Sequence, residues 1–145
     1  LIALDTNLLV YSHRSDSPFH QIAKDLIEGL RENPSPWAIP WPCVHEFVSI
    51  VTHPKIFKQP TPLASAFASV DAWLTGGNLH LISESDGYLE RLRQVSLAAH
   101  LKGPRIHDAR IAAICLHHGV RELWTADRDF SVFPLLTTRN PLIGS

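Results

Sequence analysis

The chain has 145 residues, 45% of them hydrophobic and 19% charged, a size and balance that fit one globular domain over residues 1–145 and exclude two. Thirteen Lys and Arg against fourteen Asp and Glu leave a formal net charge of -1, which excludes a global basic field for nucleic acid, so any polyanion must be held locally. The only two cysteines, Cys43 and Cys115, exclude a disulfide framework; each sits in an apolar helical pattern as a small hydrophobe, which suits a reducing cytoplasm.

In chain order, the apolar run Leu1 to Leu4 is stopped by Asp5, far short of a signal-peptide core. No later stretch approaches the roughly 18 apolar residues of a membrane span, so a soluble, untargeted chain with no membrane partner is expected. It contains no methionine, and is expected to lack its first residue or two. Leu1 to Leu4 reads as a buried strand, the triplet Asp5, Thr6, Asn7 as a turn, and Leu8 to Tyr11 as the helix that follows. Ser17 and Pro18 then open an amphipathic helix carrying Ile22, Ala23, Leu26, Ile27 and Leu30, which ends near Asn33. After a proline-punctuated stretch come a strand at Trp37 to Ile39 and, with Pro42 in its opening turn, a helix over Cys43 to Thr52.

Lys55 to Pro62 reads as a loop and Leu63 to Leu74 as a helix ended by Gly76 and Gly77, before a strand at Leu79 to Ile82. Ser83 or Ser85 is expected to cap a helix over Asp86 to His100. Beyond Gly103 and Pro104, Asp108 starts a helix with Ala109, Ala112, Ala113 and Leu116 on one face and Gly119 as its stop. A strand at Glu122 to Thr125, a helical turn around Asp129 and a strand near Leu135 to Thr138 complete the chain. Strands alternating with helices imply an α/β domain with a mostly parallel sheet between helical layers, whose ligand site lies at the carboxyl ends of the strands.

Four acids fall where that edge would be. Asp5 and Asp127 follow strands, Asp108 starts a helix, and Glu46 lies one turn into the helix after Trp37 to Ile39. Each has a plainer reading: the aspartates as helix caps, Glu46 as a solvated position, since it points away from Val44, Val48 and Val51. Gathered together, ionised carboxylates repel one another and call for a cation, and oxygen-only ligands suit Mg²⁺ or Mn²⁺. Either one ion or two accommodates the pattern.

The segments LIALDTNLLVY, VHEFVSIVTHP, IHDARIAAICLHHGV and TADRDF, in this order and spacing, resemble PIN-domain ribonucleases over nearly the whole chain, and more narrowly the toxins of VapBC toxin–antitoxin pairs. The resemblance implies a PIN-like sheet of about five strands and a metal-dependent endoribonuclease whose four acids are Asp5, Glu46, Asp108 and Asp127. Asp5 and Asp108 are the first choice for direct metal ligands. In TADRDF either aspartate can face the ion; Asp127 lies immediately beyond the strand, whereas Asp129, in the turn, caps or braces. Thr6, Asn7 and Thr125 resemble the family's polar residues that orient the carboxylates. An RNA substrate, a cognate antitoxin whose tail fills the groove, and a homodimer are implied as partners. Phe47, Val51, Ile56 and Phe57 with the helix Leu63 to Leu74 offer the apolar surface expected for them.

Other readings fare less well. The nine histidines show no zinc spacing; adjacent His117 and His118 point to different helix faces. His107 neighbours Asp108 and reads as a surface histidine or a phosphate contact. Arg91, Arg93, Lys102, Arg105 and Arg110 read equally as RNA-phosphate partners and as a solvated face, and Trp37, Trp41, Trp73 and Trp124 as packing residues. A haloacid-dehalogenase-like phosphatase needs a second aspartate at the place of Asn7, and a receiver domain needs an acidic pair with a late lysine. A catalytically silent binding module on the same fold, or a PIN nuclease of RNA processing without an antitoxin, remain the alternatives in function.

Overall fold

A computed structural model describes residues 1–143. Five strands, β1 (Ile2–Leu4), β2 (Trp37–Pro40), β3 (Leu79–Ile82), β4 (Glu122–Trp124) and β5 (Thr138–Arg139), form one parallel sheet in the order β3-β2-β1-β4-β5. Six helices accompany it: α1 (Thr6–His13), α2 (His20–Glu32), α3 (Trp41–Val51), α4 (Leu63–Leu74), α5 (Tyr88–Ala98) and α6 (Ile106–His117). The α/β architecture and the strand count agree with the sequence expectation. Among the described residues no helix is long and apolar enough to cross a membrane.

The order has a consequence for function. From β1 the chain builds outward through β2 to β3, then returns to the other side of β1 for β4 and β5. The sheet therefore reverses its direction of growth between β1 and β4, and the two connections leaving their carboxyl ends diverge and open a crevice there. Ile2, Ala3 and Leu4 pair with Glu122, Leu123 and Trp124, and one further bond, from the Asp5 amide to the Trp124 carbonyl at 3.0 Å, carries the pairing to the brink of that crevice. The strands are short and nearly free of charge because they are buried on both faces: Ala3, Leu4, Ala38, Ile39 and Leu123 are inaccessible. Small residues on α6, Ala109, Ala112 and Ala113, are equally buried and let that helix lie close in, near β2.

Several boundaries differ from the sequence reading. Helix α2 starts at His20, later than Pro18, because the Ser17 hydroxyl accepts the Phe19 amide in a preceding turn at 3.1 Å. Neither Ser83 nor Ser85 caps α5: the Ser85 hydroxyl engages His117 at 2.8 Å, and the helix opens at Tyr88 from Gly87, whose φ is 85°. Helix α6 begins two residues before Asp108, continuing a 3-10 turn at Gly103–Arg105, so Asp108 lies in its first turn. Strand β5 is later than expected; Leu136 instead closes a turn onto Phe133 and is buried. Trp37 and Trp73 are core residues, but Trp41 is 39% exposed at the start of α3.

Gly87 yields a simple prediction. Only His117 Cε1, at 3.6 Å, would meet an added Cβ, so Gly87→Ala should lose about 1 to 2 kcal/mol from left-handed backbone strain alone. Urea unfolding measures it, and an unchanged midpoint would mean that the turn relaxes to negative φ.

Candidate active site

Asp5 is the first residue beyond β1 and caps α1, its Oδ1 accepting the Thr6 amide at 2.8 Å. The plain capping role and a role in the pocket thus coexist, because its other oxygen faces the crevice side and accepts the Thr125 hydroxyl at 2.7 Å. The Cys43 thiol lies 3.5 Å from Oδ1. Only 4% of Asp5 is exposed, and burial pushes its carboxyl up to about 6. Hydrogen bonds from Thr125, Thr6 and Cys43 counter that rise, and the nearby Glu46 charge adds to it.

The other acids come from three further segments. Glu46, one turn into α3, is exposed and accepts the Thr6 hydroxyl at 2.7 Å. Asp108, in the first turn of α6, pairs with Arg105 at 3.2 Å. Asp127 lies three residues beyond the end of β4; its Oδ1 accepts the Asp129 amide at 2.8 Å and so starts the 3-10 turn Arg128–Val132. Asp5, Glu46, Asp108 and Asp127, with Thr6 and Asn7, line a single pocket of about 200 Å³ walled by Ile50, Ile111 and Phe130. Asp129 is not among the lining residues: it is exposed and contributes its backbone, the amide to Asp127 and the carbonyl to Arg105 at 3.1 Å. His107 is exposed and outside the pocket as well.

Thr125 ties the site together. Its hydroxyl donates to Asp5 and accepts the Asp127 amide at 2.9 Å and the Asn7 side-chain amide at 3.4 Å. Asn7 Oδ1 in turn accepts the Ala126 amide at 3.2 Å. Residues from opposite ends of the chain thereby hold the β4 exit against the β1 exit. Thr125→Val, equal in shape, removes all three bonds and leaves the buried Asp5 carboxylate without its closest donor. The expected loss is about 1 to 3 kcal/mol at pH 7. It should shrink at pH 5, where Asp5, whose folded pKa lies above the ordinary 3.8, is mostly neutral in wild type and variant alike. Unfolding curves at the two pH values test this; an equal loss at both would detach Thr125 from Asp5 ionisation.

One contributor escaped the sequence reading. Cys43 is three residues before Glu46, hence on the same helix face, and that spacing was the available signal. Arg105, read from sequence as an RNA-phosphate partner or a solvated position, pairs with Asp108. Three of the other basic residues near α5 and α6 are engaged locally, Arg110 with Glu84 at 3.0 Å, Arg93 with Glu90, and Arg91 with Gln94, whereas Lys102 is exposed. Of the apolar surface expected from sequence, Phe47 and Val51 are fully buried and belong to the core, and Phe57 is covered by the Arg14 guanidinium at 4.0 Å. Ile56 is exposed as expected, and so are Leu63, Phe67 and Leu74 of the helix Leu63 to Leu74.

The donor set consists of carboxylate oxygens, with neutral hydroxyl and amide groups around them. As the side chains stand, no group of three or more His, Cys, Asp or Glu among the described residues is arranged to hold an ion together, since each acid of the pocket is turned to a protein partner. The engagement of Asp108 is weak enough to yield. The Arg105–Asp108 pair is partly exposed on both sides, and such pairs contribute no more than about 1 kcal/mol. Mg²⁺ keeps several of its waters and takes only one or two carboxylates directly, so the residues present fit a small hard cation.

Residues 2–135 match the PIN domain. The chain is 31% identical over 144 residues to Ribonuclease VapC43 of Mycobacterium tuberculosis, covering 99% of this chain and 97% of that one. It is 29% identical over 140 residues to Ribonuclease VapC48 of the same organism, covering 97% of each. Among solved structures it resembles VapBC2 from Rickettsia felis, crystallised with a fragment of its promoter DNA, with a TM-score of 0.69, 20% identity and coverage of 96% and 97%.

Proposed function

The chain belongs to the PIN-domain family, and from that premise we propose that it is a metal-dependent endoribonuclease and the toxin of a toxin–antitoxin pair. The observation that carries this reading is the convergence of four acids from four separate segments on one pocket at the reversal point of the sheet. Unpartnered by a cation, that much negative charge would repel an RNA phosphate; with one, it becomes a phosphate site.

In this reading Asp5 and Asp108 hold Mg²⁺, or Mn²⁺ in its place, and Glu46 and Asp127 complete a second site or hold water beside it. When bound, the divalent cation supplies charge neutralisation at the phosphodiester and lowers the pKa of water for attack. The chain's own contribution is placement. Thr125 and the Thr6 amide fix both oxygens of Asp5, the Thr6 hydroxyl aims Glu46, and Asn7 braces the turn that carries Asp127. No side-chain nucleophile is required.

The proposed substrate is a structured RNA cut at a loop. A net charge of -1 gives little sequence-independent affinity, so discrimination rests on shape and on unpaired bases. The proposed partners are a cognate antitoxin and a second copy of the chain, for which the exposed apolar side chains Ile56, Leu63 and Phe67, more than half accessible, provide surface. Sequencing of RNA 5′ ends after induction tests the function: cuts at one or a few loop positions with the wild type, absent with Asp5→Asn, are expected. Cuts scattered through messages at a short motif would sink the structured-RNA substrate, and none above background would sink the nuclease itself.

A further inference from the structure

A second pocket, of about 390 Å³, adjoins the acidic one on the β4–β5 side. The two share Asp127, and Thr125, the residue bonded to Asp5, lines the second. Its character is opposite. Arg128 and Arg139 line it together with Thr138 and Asn140, and among the described residues neither arginine has an ion-pair partner. Arg105, the cation nearest the acids on the other side, is already committed to Asp108 and the Asp129 carbonyl. Arg139 is backed by the Trp124 ring at 5.7 Å, which orders the guanidinium without neutralising it. Asn140 uses its oxygen on the Leu142 amide at 3.0 Å, leaving its NH₂ to donate.

A strand of RNA whose scissile phosphate lies among the acids must set its neighbouring phosphate somewhere within reach, and here a donor-rich, cationic pocket opens directly from the acidic one. We propose that the pocket lined by Arg128, Arg139, Thr138 and Asn140 is a nucleotide subsite that binds the RNA phosphate adjacent to the scissile one. Arg128 and Arg139 are positioning residues: they hold the strand in register, and the acids act on it. Arginine forks suit phosphate oxygens, and the volume accommodates one nucleotide. Its continuity with the acidic pocket favours RNA over an acidic peptide as occupant.

This subsite rests on the ribonuclease reading, and its test keeps the two apart. In an Asp5→Asn background, which binds without cutting, the affinity of a single-stranded RNA oligonucleotide is measured by fluorescence anisotropy across salt concentrations. Arg128→Ala with Arg139→Ala should weaken binding about tenfold or more at low salt and reduce the log–log salt slope by about 0.7, the increment for the one phosphate no longer neutralised. Arg128→Lys with Arg139→Lys should restore most of the slope, which a merely structural defect would not allow, and melting temperatures should stay level because both side chains are exposed. Unchanged affinity and slope in the alanine pair, with normal binding by the parent, overturn the subsite and leave the nuclease reading standing. A wild-type protein that does not cut RNA, together with an Asp5→Asn parent that does not bind it, overturns both. Loss of binding to the cognate antitoxin with RNA affinity intact would make this a peptide groove and overturn the assignment.

Discussion

Asp5→Asn is expected to lower metal-dependent RNA cleavage by at least about 10³-fold, equivalent to several kcal/mol of transition-state stabilisation, while making the metal-free protein more stable at pH 7 by about 2 kcal/mol. The two effects have one cause. Burial raises the Asp5 carboxyl to about 6, so at neutral pH the fold holds a charge it disfavours, at a cost of about 3 kcal/mol relative to an ordinary carboxylate. Asparagine removes that charge, keeps the oxygen that accepts the Thr6 amide, and turns an NH₂ toward Thr125, whose hydroxyl must reorient. The sign with pH follows. With a folded value above the unfolded 3.8, the favourable contribution of neutral Asp5 is complete below about pH 4 and is lost as pH rises through about 6. The advantage of the variant should therefore be full at pH 7, fall by more than half at about pH 5 and be gone by about pH 4. Urea unfolding across this range, beside a cleavage assay, measures it. A variant less stable than wild type at pH 7 would mean that the Thr125 bond outweighs the desolvation of the charge.

Asp108→Ala is expected to abolish cleavage to a similar degree with a change in stability of no more than about 1 kcal/mol. From sequence alone, loss of one of several repelling carboxylates should relieve strain. The structure adds two opposing effects: the pair with Arg105 at 3.2 Å disappears, and the first turn of α6 loses an acid that complements its dipole, each contributing less than about 1 kcal/mol. The cancellation is testable by melting temperature. A second readout follows from the proposed ion: Mn²⁺ should raise the melting temperature of the wild type and leave that of Asp108→Ala nearly unmoved. Equal Mn²⁺ stabilisation of both proteins would place the ion away from Asp108.

How much of this was legible beforehand depended on the kind of signal. The buried strands announced themselves as short apolar runs and α4 by its bounding proline and glycines, and both were placed to within a residue or two. The start of α5 was missed because Ser85 is drawn to His117, 32 residues away, a competition no local rule registers. Strand β5 was misplaced because Leu135 and Leu136 look like a strand while the bonds that make one fall at Thr137 and Arg139, opposite Leu123 and Thr125. Glu46 was the hardest of the four acids: on its own helix it is a solvated position, and only the Thr6 hydroxyl reaching across from α1 makes it part of a pocket.

Hydrophobic periodicity, proline and glycine punctuation and motif spacing are local properties of the chain, and so the sequence by itself located most of the elements, their alternation and four candidate acids. Tertiary structure decided which groups those acids answer to. That Asp127 faces the pocket while Asp129 braces, that Arg105 is spent on Asp108 while Arg128 and Arg139 have no ion pair among the described residues, and that Phe47 is core while Phe67 is surface all depend on distances between segments tens of residues apart. Desolvation and hydrogen bonding, which set the ionisation of Asp5, act through space, and the space is defined only when β4 has come to rest beside β1.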